Sequence, residues 1–148
     1  MGSMMKSQTV ELLRRHEFKI IEPLHRRAIE KVFDEIGPVP EEMLSFYEIT
    51  NGFQFEWLTV FPLFDNDNVK TTWDSIQRAN DVSKTKYLGQ DEDLLKRFLV
   101  VAHISGGNVA VVDRNDLSVW YEDDDGLCQT DLTYLGLIET LCREVAEL

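Results

Sequence analysis

The chain has 148 residues, of which 43% are apolar, with a formal net charge of −12 and two cysteines. That length fits one domain, and that apolar fraction is enough for a core, so two domains and intrinsic disorder are both disfavoured. No apolar run approaches the roughly 20 residues that span a bilayer, and no apolar h-region marks a secretory leader, so a cytoplasmic location without membrane contact is expected.

Met1-Gly2-Ser3-Met4 reads as a cloning scar, which leaves one domain over 5–148. Residues 8–21 form an amphipathic start (Val10, Leu12, Leu13, Phe18, Ile20, Ile21) whose pattern does not fix its conformation. From Pro23, a residue suited to the first turn of a helix, Leu24, Ala28, Ile29, Val32, Phe33 and Ile36 recur at helical spacing until Gly37-Pro38. Pro40 opens a second helix, with Glu41 and Glu42 in its first turn and Met43, Phe46, Tyr47 and Thr50 on one face. Asn51-Gly52 then falls where a helix ends in left-handed geometry. Beyond it the period becomes alternating: Phe53, Phe55 and Trp57 face one way and Gln54, Glu56 and Leu58 the other, predicting one strand that runs on to Pro62.

Val69, Trp73, Ile76 and Ala79 mark a third helix, which assigns Trp73 to the core together with Trp57, and a polar stretch follows through Asp93. The segments 98–104, 109–113 and 117–122 are β-rich runs separated by the turn signals at 105–108 and 114–116, and 123–126 makes a further turn. Asp131 is placed to cap a closing helix with Leu135, Ile138, Cys142 and Val145 on one stripe. The expected fold is α+β: an antiparallel, mainly meander sheet flanked by N-terminal helices and a C-terminal helix, since short turns rather than crossover helices join the strands.

Three pieces in this order carry a resemblance. They are the helix ending in YEITNG before an aromatic strand and FPLF, the strand–glycine turn–strand FLVVAHISGGNVAVVD, and the closing helix DLTYLGLIETLCREV. Together they resemble the SUKH superfamily, which includes fungal cell-wall-assembly regulators and many bacterial immunity proteins. The matching positions are Pro40, Tyr47, Asn51, Gly52, Phe61, Pro62, Gly106, Gly107, Asp113 and Val119. The resemblance implies an α+β domain that binds another protein, in many bacterial members a toxin and often a nuclease.

Charge bears on the partner. Residues 1–31 hold seven Lys/Arg against four Asp/Glu, whereas 98–148 hold ten acids and two bases. An acidic surface repels phosphates and attracts a basic protein, so direct nucleic-acid binding is disfavoured, although such a surface also serves plain solubility. The expected partner-binding residues are Glu122, Asp123, Asp124 and Asp125 beside Trp120 and Tyr121, together with Asp65 and Asp67. An aromatic next to carboxylates is a candidate hot spot, and the alternative is that both rings pack under the final helix.

Catalysis is not expected. His16, His25 and His103 are isolated, no nucleophile or phosphate-loop motif is present, and DNDN (65–68) departs from a calcium loop by having Val69 at the third ligand position. Cys128 and Cys142 read as reduced packing residues. No metal or cofactor is expected. The preferred function is an immunity protein that occludes the basic active surface of a toxin. The alternatives are a regulatory scaffold outside toxin biology and, more remotely, a metal-dependent hydrolase built on Asp65, Asp67 and Asp113.

Overall fold

The computed structural model describes residues 10, 11, 14, 15, 20–55, 58–104 and 108–146. Trp57, His16 and Gly106-Gly107 lie outside the described residues, as do the side chains of Phe55 and Val145. Residues 10, 11, 14 and 15 are helical, and Val10 is exposed.

The first helix of the domain, α1 (Arg26–Ile36), buries Ile29 and Phe33 one turn apart. It starts at Arg26 rather than Pro23 because the Nδ1 of His25 accepts the Arg27 N–H, so the chain supplies its own N-terminal acceptor there. Gly37, at φ +105°, ends it by donating to the Phe33 carbonyl. The next helix, α2 (Glu41–Ile49), buries Met43, Phe46 and Tyr47. Thr50 lies beyond its end in extended geometry, and its hydroxyl receives the Ile21 N–H at 3.0 Å.

The predicted single strand after Gly52 is a hairpin. Strand β1 (Phe53–Phe55) pairs antiparallel with β2 (Leu58–Val60), in the register Phe53↔Val60 and Phe55↔Leu58. A tight reversal between two apolar strands leaves the alternation of the sequence almost unbroken, so the period alone did not disclose it. The reversal brings Val60 back over Gly52. A Cβ at Gly52, where φ is +74°, would sit 2.3 Å from the Val60 carbonyl oxygen. The left-handed residue is thus Gly52 alone, and only glycine fits it.

The region expected to hold one helix holds two short ones, α3 (Val69–Thr72) and α4 (Ile76–Ala79). The break is made by Ser75, whose hydroxyl accepts the Arg78 N–H at 3.1 Å, and by the Ile76 N–H, which turns to the Pro62 carbonyl instead of the preceding helix. The break turns Trp73 outward: it is 56% exposed, which corrects its assignment to the core. A short 3-10 turn at Leu88–Gln90 leads into α5 (Glu92–Arg97), an unforeseen helix capped by Asp91.

Four strands complete the sheet: β3 (Phe98–His103), β4 (Val109–Asp113), β5 (Val119–Asp123) and β6 (Gly126–Gln129). The order is β1-β2-β3-β4-β5-β6 with every pair antiparallel, the expected α+β meander. Strand β6 is short and its Cys128 and Gln129 are exposed, so little apolar signal marks it in the sequence. The central β4 is buried at every residue, as is β3 up to His103, which requires cover on both faces of the sheet.

The closing helix α6 (Tyr134–Ala146) starts from Thr133, whose Oγ1 accepts the Gly136 N–H, and not from Asp131. Its buried stripe is Tyr134, Leu137, Ile138, Leu141 and Cys142, while Leu135 is only half-buried. It meets α2 through Phe46 and Tyr134, with ring centroids 5.6 Å apart, and Phe46 in turn reaches Phe53 of β1 at 6.4 Å.

Two asparagines seal the sheet where β2 ends. Asn51 is buried, its Oδ1 accepting the Leu63 N–H and its Nδ2 donating to the Leu63 carbonyl, both at 2.8 Å. Asn80 does the same for Val100, accepting its N–H at 2.7 Å and donating to its carbonyl at 2.9 Å, beside the β3 irregularity between Val100 and Ala102. Each amide supplies the donor–acceptor pair that an adjacent strand would otherwise supply.

Candidate functional site

The acid run forms the tip of the β5–β6 hairpin. The Oδ1 of Asp123 accepts the Asp125 N–H at 2.8 Å, and Gly126 takes φ +112°, so the turn is held by an Asp side chain and a glycine together. Asp123, Asp124 and Asp125 are exposed. Glu122 is half-buried, and desolvation raises its pKa above the ordinary value. No Lys or Arg among the described residues forms an ion pair with these four carboxylates. Like charges confined to one turn repel one another, and a cationic partner relieves that repulsion.

The aromatics expected beside them lie in the strand beneath. Trp120 and Tyr121 are consecutive on β5 and so point to opposite faces of the sheet. The Trp120 ring lies 5.3 Å from Phe98, its Nε1 donates to Ser118 at 2.8 Å, and the Arg97 guanidinium sits 5.6 Å from its centroid. Arg97 also pairs with Asp113 at 3.2 Å. Tyr121 packs against the core, its hydroxyl is buried without a hydrogen-bond partner among the described residues, and burial, followed by the nearby Glu144, pushes its pKa up to about 12. Both rings are half-buried, which leaves each a partial face beside the acids.

Asp65 and Asp67 lie elsewhere. β5 runs toward the end of the sheet where β3 finishes at His103, whereas the chain leaving β2 passes Ala102 and Val101 toward the end where β3 begins. The two groups of acids are therefore at opposite ends of the sheet. Asp65 accepts the Asp67 N–H at 2.9 Å through Oδ1 and donates its own N–H to Thr72. Both line an open groove of about 700 Å³ against the start of α1, where His25, Lys31 and Glu35 also contribute. The exposed His25 caps a helix, and His103 is half-buried against Tyr87 at 5.5 Å between ring centroids.

The carboxylates of the hydrolase reading are not assembled. Asp113 is only 3% exposed, and its oxygens are engaged by the Asn115 N–H and by Arg97. Among the described residues no three of His, Cys, Asp or Glu gather in a way that would hold a metal ion. Cys142 is buried, with its thiol pushed up to about 12 by desolvation, whereas Cys128 is exposed on β6, which corrects its reading as a packing residue.

The residues that carry the family resemblance do structural work wherever they are described. Tyr47 donates to the Phe61 carbonyl, Asn51 clamps Leu63, Gly52 lies under Val60, Pro62 accepts from Ile76, and Val119 is core. Tyr47 and Asn51 hold α2 against the segment after β2. None of them lies in the acidic tip.

Comparison of the chain with protein-family models, with characterised proteins and with solved structures found no match. The fold defines the class: an α+β domain on a six-stranded antiparallel meander, with an anionic hairpin at one edge that pairs with no cation among the described residues.

Proposed function

We propose that this chain is a protein-binding module of the SUKH kind, an immunity protein that occludes the basic active surface of a toxin domain. The observation that supports the reading most directly is the β5–β6 tip, where three exposed aspartates project without a cation among the described residues to neutralise them. A turn held by its own side chain is preorganised, so docking it orders little that was free. Its charge steers encounter with a cationic groove and competes there with an anionic substrate, while the partial faces of Trp120 and Tyr121 slow dissociation.

The test begins with co-expression of the chain and the product of the adjacent gene, followed by pull-down and stopped-flow association. Replacing Asp123, Asp124 and Asp125 together by Asn keeps the Oδ1 acceptor of the turn and removes the charge. Association is expected to slow by about ten-fold at low salt and to lose most of its salt dependence. An unchanged rate and salt slope would remove this hairpin from the interface.

A further inference from the structure

A second surface has the opposite character. Trp73 is turned outward by the break between α3 and α4, and Phe64 beside it is 37% exposed. Two hollows of about 350 and 330 Å³ flank the indole, and Trp73, Arg78 and Lys84 line both. Phe64, Gln77 and Asp81 also line one hollow, and Lys86, Tyr87 and Asp74 also line the other. The Arg78 guanidinium lies 4.9 Å from the Trp73 centroid, and the Lys86 ammonium lies 5.7 Å from that of Tyr87. Lys84 and Lys86 are exposed.

The charge of this stretch runs against that of the chain. Residues 69–90 carry Lys70, Arg78, Lys84 and Lys86 against Asp74 and Asp81, in a protein whose net charge is −12. Asp81 is held by its own turn, accepting from the Ser83 N–H and hydroxyl, and it touches Lys84 only at 3.9 Å. The ring is large, exposed and held from one side by a cation, the arrangement by which aromatic anchors dominate interfaces at low entropic cost. One hollow is mainly apolar and the other mixed, and in each the cations outnumber the single aspartate, which matches a segment that presents an aromatic or aliphatic side chain next to carboxylates.

We infer that the Trp73–Arg78–Lys84–Lys86 surface binds an acidic peptide segment of a partner protein, one apolar side chain entering beside the indole and flanking carboxylates meeting the three cations. A peptide fits better than a nucleic acid. Its few charges act within a Debye length of the patch, whereas a long polyphosphate would also meet the acids of the rest of the molecule. This surface is separate in sequence and in charge from the acidic hairpin, so the two stand or fall independently.

The test is selection on the intact protein from a display library of random peptides. Each enriched peptide is then assayed again on Trp73→Ala and on Lys84→Glu/Lys86→Glu, both checked for folding by circular dichroism. The expected result is a class rich in Asp and Glu with an aromatic residue, weakened ten-fold or more by either variant and untouched by the triple Asp→Asn change in the hairpin. An acidic class that binds both variants as well as the original, or no acidic class at all, would overturn the inference. So would tight binding of oligo-dT lost on Trp73→Ala. Sedimentation adds one more outcome: self-association abolished both by Trp73→Ala and by the hairpin substitutions would assign the patch to a second copy of this chain instead.

Discussion

Asn51 and Asn80 illustrate how little of a residue's role lies in its immediate neighbours. The sequence Asn51-Gly52 reads as a helix stop, and a stop does occur there, but the amide reaches Leu63 and only Gly52 takes the left-handed conformation. Asn80 follows the last helical residue of α4, and nothing local points to Val100, which β3 brings alongside. Such clamps are legible only after the fold has placed their partners. Asn51→Ala, which orphans a buried N–H and a buried carbonyl, is expected to cost about 3 kcal/mol in chemical denaturation, whereas an exposed Asn→Ala such as at Asn66 should cost within about 0.5 kcal/mol. Gly52→Ala is expected to give no soluble folded protein, since its methyl group would overlap a backbone oxygen and not a movable side chain. At His103, burial first and Lys86 second lower the pKa from 6.5, while Asp74 opposes them. The imidazole therefore favours the neutral form when folded. Its contribution is complete above pH 6.5 and is lost as pH falls below that value, where the unfolded chain takes up the proton first. An NMR titration should show Lys86→Gln raising this pKa and Asp74→Asn lowering it.

At the scale of elements, the sequence disclosed what has a strong period and missed what depends on where a neighbour ends. Helices α1, α2 and α6 and strands β3 to β5 follow from apolar spacing. The β1–β2 reversal, the break at Ser75 and the short β6 do not: the first leaves the alternation almost unbroken, the second is set by hydrogen bonds to the Ser75 hydroxyl and the Pro62 carbonyl, and the third is too short and exposed to carry a period. The α5 signals were all present: Asp91 as a cap, Glu92 and Asp93 in the first turn, Lys96 and Arg97 in the last. Two apolar residues in six, Leu94 and Leu95, were too few to reveal a period. Asp91→Ala removes the acceptor of the Asp93 and Leu94 N–H groups and is expected to cost about 1 kcal/mol by denaturant melt. The acidic tip was the one part of the candidate site visible in the sequence, since four adjacent acids before a glycine need no tertiary partner to be recognised. That Asp65 and Asp67 lie at the other end of the sheet could be known only from the strand order.

For the whole molecule, the ionisable groups inside the fold set an alkaline limit. Tyr87 and Tyr121 are pushed from 10.0 to about 12 and Cys142 from 9.0 to about 12, in each case first by burial. A raised pKa means that the unfolded chain loses these protons before the folded one does. The contribution of these three groups is therefore complete below about pH 9 and declines from there to about pH 12, which thermal melts across that range should show. Tyr121→Phe is expected to lessen the decline and to leave neutral-pH stability equal or improved, because the hydroxyl it removes is buried without a partner among the described residues.

The meeting of Phe46 and Tyr134 has a consequence during synthesis. Each strand pairs with the one made just before it, so the sheet can grow hairpin by hairpin as the chain leaves the ribosome. The cover over Phe46 cannot, because it belongs to α6, the last element to emerge. At about 5–20 residues per second, the aromatic cluster of α2 waits several seconds for its lid. A nascent chain stalled before Tyr134 is thus the form of this protein most exposed to chaperone capture or aggregation.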